Sequence, residues 1–185
     1  MEETELEAVV HRAGQGDAEA FAELYRRFAR RVFGLCRYML GSTEAAEDAT
    51  SEVFLRLQRS MQGYDASLPF PRWLLSVASH YCVDLLRRRR IESRLFVAEE
   101  AATERYAEDA AKRPSPLSEA LIREQRDQIR IAITRLPHRY RAPLIMRYYG
   151  EMGYDEIAAQ LGLQRNHVAT LIFRAKQELR RILGA

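Results

Sequence analysis

The feature that most constrains this chain is a pair of helix patterns, separated by a glycine, near its C-terminal end. Between Tyr154 and Ile182 a short pattern ends at Gly162, and a longer one follows with apolar residues three or four positions apart. Those apolar residues are Val168, Leu171, Ile172, Ala175 and Leu179. Two helices with a tight glycine-containing turn, the second helix basic, indicate a helix-turn-helix. Because the motif is short, a plain helical hairpin with a solvated basic face is the alternative.

Charge is distributed unevenly along the chain. Residues 164–185 hold five Arg or Lys against one Glu, and residues 85–94 hold five Arg against one Glu. The opening residues and the stretch 99–109 are acidic. On the predicted second helix, Asn166, Thr170, Phe173, Arg174 and Gln177 lie opposite the apolar stripe. Clustered positive charge beside acidic segments indicates nucleic acid as a partner.

Composition excludes several other classes of protein. With 185 residues and a hydrophobic fraction of 47%, the chain can form one large folded domain or two small ones. Cys36 and Cys82 lie far apart in apolar helical patterns without metal-ligand spacing, which predicts buried thiols and neither a metal nor a cofactor. No signal peptide and no membrane-crossing run is present, so we expect a cytoplasmic protein without membrane insertion.

The first half of the chain predicts three helices. Asp17 is expected to cap a long amphipathic helix that ends at Gly41, and Ser42 or Thr43 caps the next helix. A third helix has Pro71 in its first turn and is predicted to end within the arginines at 87–90.

The second of these helices carries a row of carboxylates. Glu44, Asp48 and Glu52 follow one another at spacings of four, so they lie along one side of the helix. Like charges at this spacing destabilise a helix by a few tenths of a kcal/mol per pair. The row predicts an acidic docking surface for a basic protein. A solvated face, relieved in part by Arg56, is the alternative.

A loop rich in helix breakers, residues 63–71, precedes the third helix. The helix then carries Trp73, Ser76, His80, Asp84 and Arg87 on one flank. An aromatic ring, small polar groups and arginines suit single-stranded DNA, since rings stack on bases and cations follow phosphates. Core packing is the alternative for Trp73, and an exposed pair is the alternative for His80 with Asp84.

Residues 91–117 lose the helical period and close with two prolines, which indicates an interdomain linker in which a short helix at 99–111 could form. A new helix is predicted from Ser118 to Leu136, and another from Tyr140 to Tyr149 with Pro143 in its first turn. No strand pattern or internal repeat is visible. We therefore predict an all-α fold of two small helical domains, 1–91 and 118–185, joined by a flexible linker at 92–117.

Over nearly its whole length the chain resembles an extracytoplasmic-function (ECF) sigma factor, of the sigma-70 family of bacterial RNA polymerase. The first half resembles the sigma-two domain in Gly16-Asp17, Ala20-Phe21, Glu47-Asp48, Glu52-Val53-Phe54, Phe70, Trp73-Leu74, Ala78 and Asp84. The second half resembles the sigma-four domain in Leu136-Pro137, Tyr140-Arg141, Tyr154, Glu156-Ile157-Ala158, Leu161-Gly162, Val168 and Arg174-Ala175. Both sets, in this order and spacing, make the resemblance specific.

The resemblance implies partners and residue roles. Core RNA polymerase would be bound, through the clamp helices of its largest catalytic subunit, by Glu44, Asp48, Glu52 and Phe54. The −10 promoter element, melted with one base flipped into the loop Tyr64–Pro71, would meet Tyr64, Asp65, Ser67, Trp73, Ser76, Ser79, His80, Arg87 and Arg88. The −35 element, as duplex in the major groove, would meet Arg165, Asn166, Thr170, Phe173 and Arg174. An anti-sigma factor that holds the protein inactive, and a monomeric free state, are further expectations, and no catalytic activity is implied.

Some positions depart from the pattern of the family. Ser51 stands where Gln is usual in the docking helix, and His80 stands where Asn is common. Asn166-His167 replaces a frequent Gly-Thr, and Leu171 replaces a usual Arg. These departures concern the promoter sequence and not the class of protein. We expect no receiver domain before the first helices and no extra domain after the last, which disfavours receiver-coupled mimics.

Two rival functions remain. A stand-alone regulator that uses only the helix-turn-helix would bind duplex tightly without polymerase, and it leaves the carboxylate row and the aromatic loop unexplained. An enzyme would place His80 and Asp84 in a hydrolytic or metal site, but no second carboxylate cluster or phosphate-binding glycine loop accompanies them.

Overall fold

A computed structural model of the chain describes residues 3–61, 64, 68–96 and 127–184, and the regular structure within these ranges is helical throughout. The first four helices, called the N-terminal bundle, are α1 (Glu3–Gly14), α2 (Ala18–Leu40), α3 (Thr43–Ser60) and α4 (Phe70–Phe96). The next four, called the C-terminal bundle, are α5 (helical residues 127–135), α6 (His138–Tyr148), α7 (Tyr154–Leu161) and α8 (Arg165–Leu183). The all-α prediction is confirmed for this part of the chain.

Local signals determine the ends of α2 and the start of α3. Asp17 caps α2, because its Oδ1 accepts hydrogen bonds from the N–H groups of Glu19 and Ala20 at 2.9 and 3.0 Å. Gly41 ends the helix in the left-handed region with φ of 80°. Ser42 then accepts from the Ala45 N–H at 3.2 Å and caps α3. These predicted boundaries are confirmed.

The core of the N-terminal bundle lies between α2, α3 and α4. Val32, Leu35 and Leu57 are fully buried, and so are Cys36 on α2 and Cys82 on α4. The neighbouring Cys36 thiol, together with burial, raises the pKa of Cys82 well above its ordinary value. The prediction of buried thiols is confirmed, while their contact has no signal in the sequence.

Two expectations about helix limits are wrong, and one helix has no counterpart among the predicted elements. Helix α1 was not predicted, although it buries Val9 and Val10. Helix α4 does not end within the arginines but continues to Phe96, because no glycine or proline interrupts 91–96. Helix α6 starts at His138, so Pro143 is its sixth residue and lies beyond the first turn. Most of the predicted linker, including the helix considered at 99–111, lies outside the described residues.

The helix-turn-helix forms as predicted. Helix α7 ends at Gly162, whose φ of 67° is in the left-handed region that glycine adopts without steric cost. Helix α8 follows and buries Val168, Ile172 and Ala175 against the rest of the C-terminal bundle. The opposite side of α8 is therefore left for solvent or a ligand.

The two bundles touch along α2 and α4. Arg141 of α6 is fully buried, and its guanidinium donates hydrogen bonds to the carbonyls of Met39 on α2 at 3.3 Å and Thr134 on α5 at 2.9 Å. The Tyr149 ring lies against Tyr38, with the ring centroids 5.7 Å apart. None of the helices in the described part of the chain has the length and apolar character that a membrane crossing requires.

Candidate nucleic-acid and polymerase interfaces

The carboxylate row lies on the outer side of α3. Glu44 and Asp48 are exposed, and neither forms an ion pair among the described residues within 4.0 Å. Glu52, which is half-buried, pairs with Arg56 at 2.8 Å. Arg56 therefore offsets the repulsion among the carboxylates at Glu52, as expected for a solvated face. Glu44 and Asp48 remain accessible negative charges.

Phe54 does not belong to this exposed surface. Its side chain is only 3% exposed and packs edge-on against Tyr25 and Phe21, at centroid distances of 4.7 and 6.4 Å. The aromatic ring thus holds α3 on α2, and the structure does not present it for direct contact with polymerase. Its neighbour Leu55 is 50% exposed instead, which places an apolar side chain beside the carboxylates. Sequence reasoning missed Leu55, because a single leucine on a helix is ordinarily assigned to the core.

An aromatic cluster stands where α4 begins. Tyr64, Phe70 and Trp73 contact one another with centroids 5.0 to 6.0 Å apart. The Tyr64 hydroxyl donates to the Leu68 carbonyl at 2.6 Å, which ties the loop to the cluster. Phe70 is buried, while Tyr64 and Trp73 are half-buried. Trp73 is therefore a packing residue that keeps part of its ring accessible. Asp65 and Ser67 lie outside the described residues.

The polar residues predicted on α4 divide into exposed and covered groups. His80, Arg87 and Arg88 are exposed, Ser76 is half-buried and Ser79 is fully buried. His80 contacts the Ser76 carbonyl through Nδ1 at 3.0 Å, and Asp84 approaches Arg87 at 3.9 Å. His80 and Asp84 thus contact different partners. Within the described ranges no three His, Cys, Asp or Glu residues form a group that could hold a metal.

Side chains of α7 and α4 are in contact. An Arg72 guanidinium nitrogen pairs with the Glu156 carboxylate at 2.6 Å, and the Gln160 side-chain amide donates to the Ser76 carbonyl at 3.2 Å. Burial opposes ionisation of Glu156, but the hydrogen bond from the Gly153 N–H and the Arg72 guanidinium together hold the pKa of this carboxyl below its ordinary value. The sequence carries no signal for these contacts, because the paired residues are 84 positions apart.

The predicted DNA-facing side of α8 is open. Arg165, Asn166, Thr170 and Arg174 are exposed, and Phe173 is 60% exposed. Thr170 donates its hydroxyl to the Asn166 carbonyl at 3.0 Å, so this hydroxyl is also held to the helix. Leu171 is 9% exposed and lies on the packed side, so the departure from a usual Arg does not remove a charge from the open side. An exposed helix with cations and one apolar ring suits a major groove.

Comparison with known proteins matches both halves of the chain to regions of one protein family. Residues 24–91 match Sigma-70 region 2, and residues 126–179 match Sigma-70, region 4. The chain is 30% identical over 172 residues to ECF RNA polymerase sigma factor SigW of Bacillus subtilis, and the match covers 91% of each protein. The chain belongs to the ECF sigma factor family. The resemblance seen in the sequence is thereby confirmed.

Other members of the ECF sigma factor family extend the comparison. SigE of Mycolicibacterium smegmatis is 33% identical over 173 residues, which cover 92% of this chain and 64% of that protein. Among solved structures, the sigma factor RpoE in complex with the anti-sigma factor NepR from Bartonella quintana has a TM-score of 0.65 at 15% identity, covering 91% of this chain and 99% of RpoE. CnrH in complex with the cytosolic domain of CnrY has a TM-score of 0.56 at 20% identity, with 96% of each chain covered. These two likenesses establish the fold.

Proposed function

We propose that this chain is the promoter-specificity subunit of a bacterial RNA polymerase. It binds core polymerase through α3, recognises the −10 element with the start of α4 and the −35 element with α8, and assists promoter opening. The observation that carries the proposal is the presence, in one chain of this family, of an accessible acidic row and two separate surfaces suited to DNA. A stand-alone regulator would need only α8.

The N-terminal bundle has the groups that strand opening requires. The half-exposed rings of Tyr64 and Trp73 can stack on unpaired bases, and Arg87 and Arg88 can follow the phosphates. Holding a base outside the duplex returns part of the few kcal/mol that unstacking costs. In this proposal the protein supplies binding energy and no bond is made or broken by its side chains, so the function is not enzymatic.

The C-terminal bundle recognises duplex DNA. Side chains of Asn166 and Arg174 can reach base edges in the major groove, and the exposed Phe173 ring suits the methyl group of thymine. Promoter recognition then uses two elements at a set spacing, with polymerase holding both bundles. One structural relative is solved with the anti-sigma factor NepR and another with the cytosolic domain of CnrY, which supports an anti-sigma factor for this chain and a cytoplasmic site of action.

Run-off transcription with purified core polymerase tests this function. Fragments of the genome that encodes the chain serve as templates, with core polymerase alone as the control. We expect transcripts that start at defined positions only when the chain is added, together with a stable complex between chain and core. Absence of both would contradict the proposal. Tight duplex binding by the chain alone would favour the stand-alone regulator instead.

A further inference from the structure

His167 lies in the first turn of α8, on the side that is proposed to meet the −35 element. It precedes Thr170 by three residues and Arg174 by seven, and these spacings place the three side chains along one side of the helix. All three are exposed. In a helix-turn-helix the N-terminal residues of the second helix contact base edges. His167, the third residue of α8, is therefore placed to meet a base.

The His167 imidazole is available to a ligand. Among the described residues its side chain forms neither a hydrogen bond nor an ion pair, while its backbone N–H donates to the Gln164 carbonyl at 3.0 Å. Arg174 likewise forms no ion pair in this part of the chain. The Thr170 hydroxyl, in contrast, is held to the Asn166 carbonyl. Both ring nitrogens of His167 can therefore contact a group outside the chain.

The charged groups of α6 and α7, which pack against α8, and the single carboxylate of α8 have partners other than His167. These are His138 against Arg141, Arg139 over the Tyr140 ring, Arg141 against the Met39 and Thr134 carbonyls, Arg147 against the Met152 carbonyl, Asp155 with Arg165, Glu156 with Arg72, and Glu178 with Arg181. The nearest charged residues along α8 are the cations Arg165 and Arg174. The charge beside His167 on its own helix is therefore positive, which suits an anionic ligand such as DNA.

Protonation changes what an imidazole can recognise. Histidine is the side chain that gains or loses its charge between about pH 5 and pH 8. A neutral ring has one N–H donor and one acceptor nitrogen, whereas a protonated ring has two donors and a positive charge. In the major groove guanine presents two acceptors, N7 and O6, whereas adenine presents N7 beside its N6 amino group, which is a donor. A protonated imidazole therefore matches guanine, and the amino group of adenine opposes it.

We propose that His167 recognises a guanine in the −35 element, and that it does so in its protonated form. The imidazolium donates a charge-assisted hydrogen bond to N7 or O6 of the base. Because binding takes up the proton, the preference for guanine is present at low pH and declines as the pH rises and the ring becomes neutral. Promoter choice by this chain is then sensitive to pH. The proposal rests on the proposed function, since it needs α8 in the major groove of the −35 element.

Selection from a DNA library by the chain in complex with core polymerase tests the proposal. Run-off transcription first supplies a promoter that the chain directs, and its −35 element is then randomised while the −10 element is kept constant. The complex binds this pool at about pH 6 and at about pH 8, and the bound DNA is sequenced. We expect one position to favour guanine over adenine by about tenfold at the lower pH and by less than about twofold at the higher pH. Because the bases compete in one pool, effects of pH on polymerase or on His80 at the −10 element cancel.

Two substitutions at residue 167 and one control make the outcome specific. His167→Gln is neutral at both pH values and should lose the preference for guanine, since glutamine matches adenine. His167→Lys is charged at both pH values and should keep the preference at both, since lysine matches guanine. His11→Gln replaces another exposed histidine, on α1, and should select the same sequences as the wild type.

Three results would overturn recognition of guanine by His167. They are the same base preference at both pH values in the wild type, a pH response that persists in His167→Gln, and a loss of affinity in His167→Gln that is equal for every member of the library. The last of these would show a contact to phosphate in place of a base. In all three the chain still directs transcription, so the proposed function stands. Absence of any promoter-dependent transcript would overturn the proposed function as well.

Discussion

Asp48 and Phe54 lie on the same helix, α3, and face different environments. Asp48 is exposed in the carboxylate row, and Phe54 is 3% exposed against α2. The resemblance to the family implies polymerase binding for both residues, but only Asp48 is exposed. We therefore expect Asp48 to affect polymerase binding and Phe54 to affect the stability of the fold.

We expect Asp48→Arg to weaken binding to core polymerase by about tenfold or more, because a charge opposite a basic surface is reversed. Its free energy of unfolding should change by less than about 0.5 kcal/mol, since the residue is exposed and its like-charged neighbours are relieved. Glu7→Arg, a reversal on the exposed side of α1, is the control. Binding by surface plasmon resonance and urea unfolding measure the two quantities. Equal binding losses in both variants would indicate a nonspecific charge effect.

Phe54→Ala should behave in the opposite way. Loss of a buried aromatic ring between α2 and α3 removes contacts with Phe21 and Tyr25, and we expect the free energy of unfolding to fall by about 3 kcal/mol or more. Polymerase affinity, measured on the fraction that remains folded, should change little. A large affinity loss at unchanged stability would return Phe54 to the docking surface.

At the scale of single elements, α8 combines a packed side with an open one. Ile172 lies on the packed side and Arg174 lies on the open side, and the helical period of the apolar residues in the sequence predicts this division. The open side can therefore be altered without disturbing the core of the C-terminal bundle.

For the promoter polymerase complex we expect Arg174→Ala to reduce affinity for the −35 duplex by about tenfold, because a contact to a base edge contributes about 1–3 kcal/mol. Arg180→Ala removes another exposed arginine from a different side of α8 and is the matched control. Competition with duplexes mutated in the −35 element measures the specific part. Identical losses in both variants would mean that α8 contributes only attraction to phosphates.

Sequence patterns identified most elements wherever a cap or a breaker was present. Asp17, Gly41 and Gly162 set helix ends through local backbone geometry, so these ends can be predicted from the neighbouring sequence. The run of arginines predicts an end of α4, but the helix continues because no residue there breaks it. Helix α1 has only a weak signal in the sequence, because its two buried valines lie among charged residues. The contacts between bundles are long-range side-chain pairs, which periodicity does not encode.

At the scale of the whole molecule, the Glu156 carboxylate of the C-terminal bundle pairs with Arg72 of the N-terminal bundle. The pKa of Glu156 is lowered, and the part of that shift due to Arg72 exists only when α7 lies on α4. A group with a lowered pKa stabilises the contact between α7 and α4 while it is ionised, above its ordinary value of 4.5, and this contribution disappears as the pH falls through and below that value. The contact between the two bundles should therefore weaken on acidification.

We expect the radius of gyration of the free chain to increase as the pH is lowered below 4.5, before the helices unfold. Scattering and far-ultraviolet circular dichroism recorded on the same samples separate opening from unfolding. Glu156→Gln should already be more open at neutral pH and should lose most of this response. A wild-type chain whose size stays constant until the helical signal is lost would argue against a role for Glu156 in the contact between the bundles.

The buried thiols of Cys36 and Cys82 can report how often the core of the N-terminal bundle opens. Because both are fully buried and the pKa of Cys82 is raised, a maleimide or iodoacetamide can modify them only in molecules whose core has opened. The rate of alkylation in an extract would then report how often the core opens. Any partner that holds α2 on α4 would slow the alkylation, and it could be recognised from a larger fraction of chain that keeps its unmodified mass.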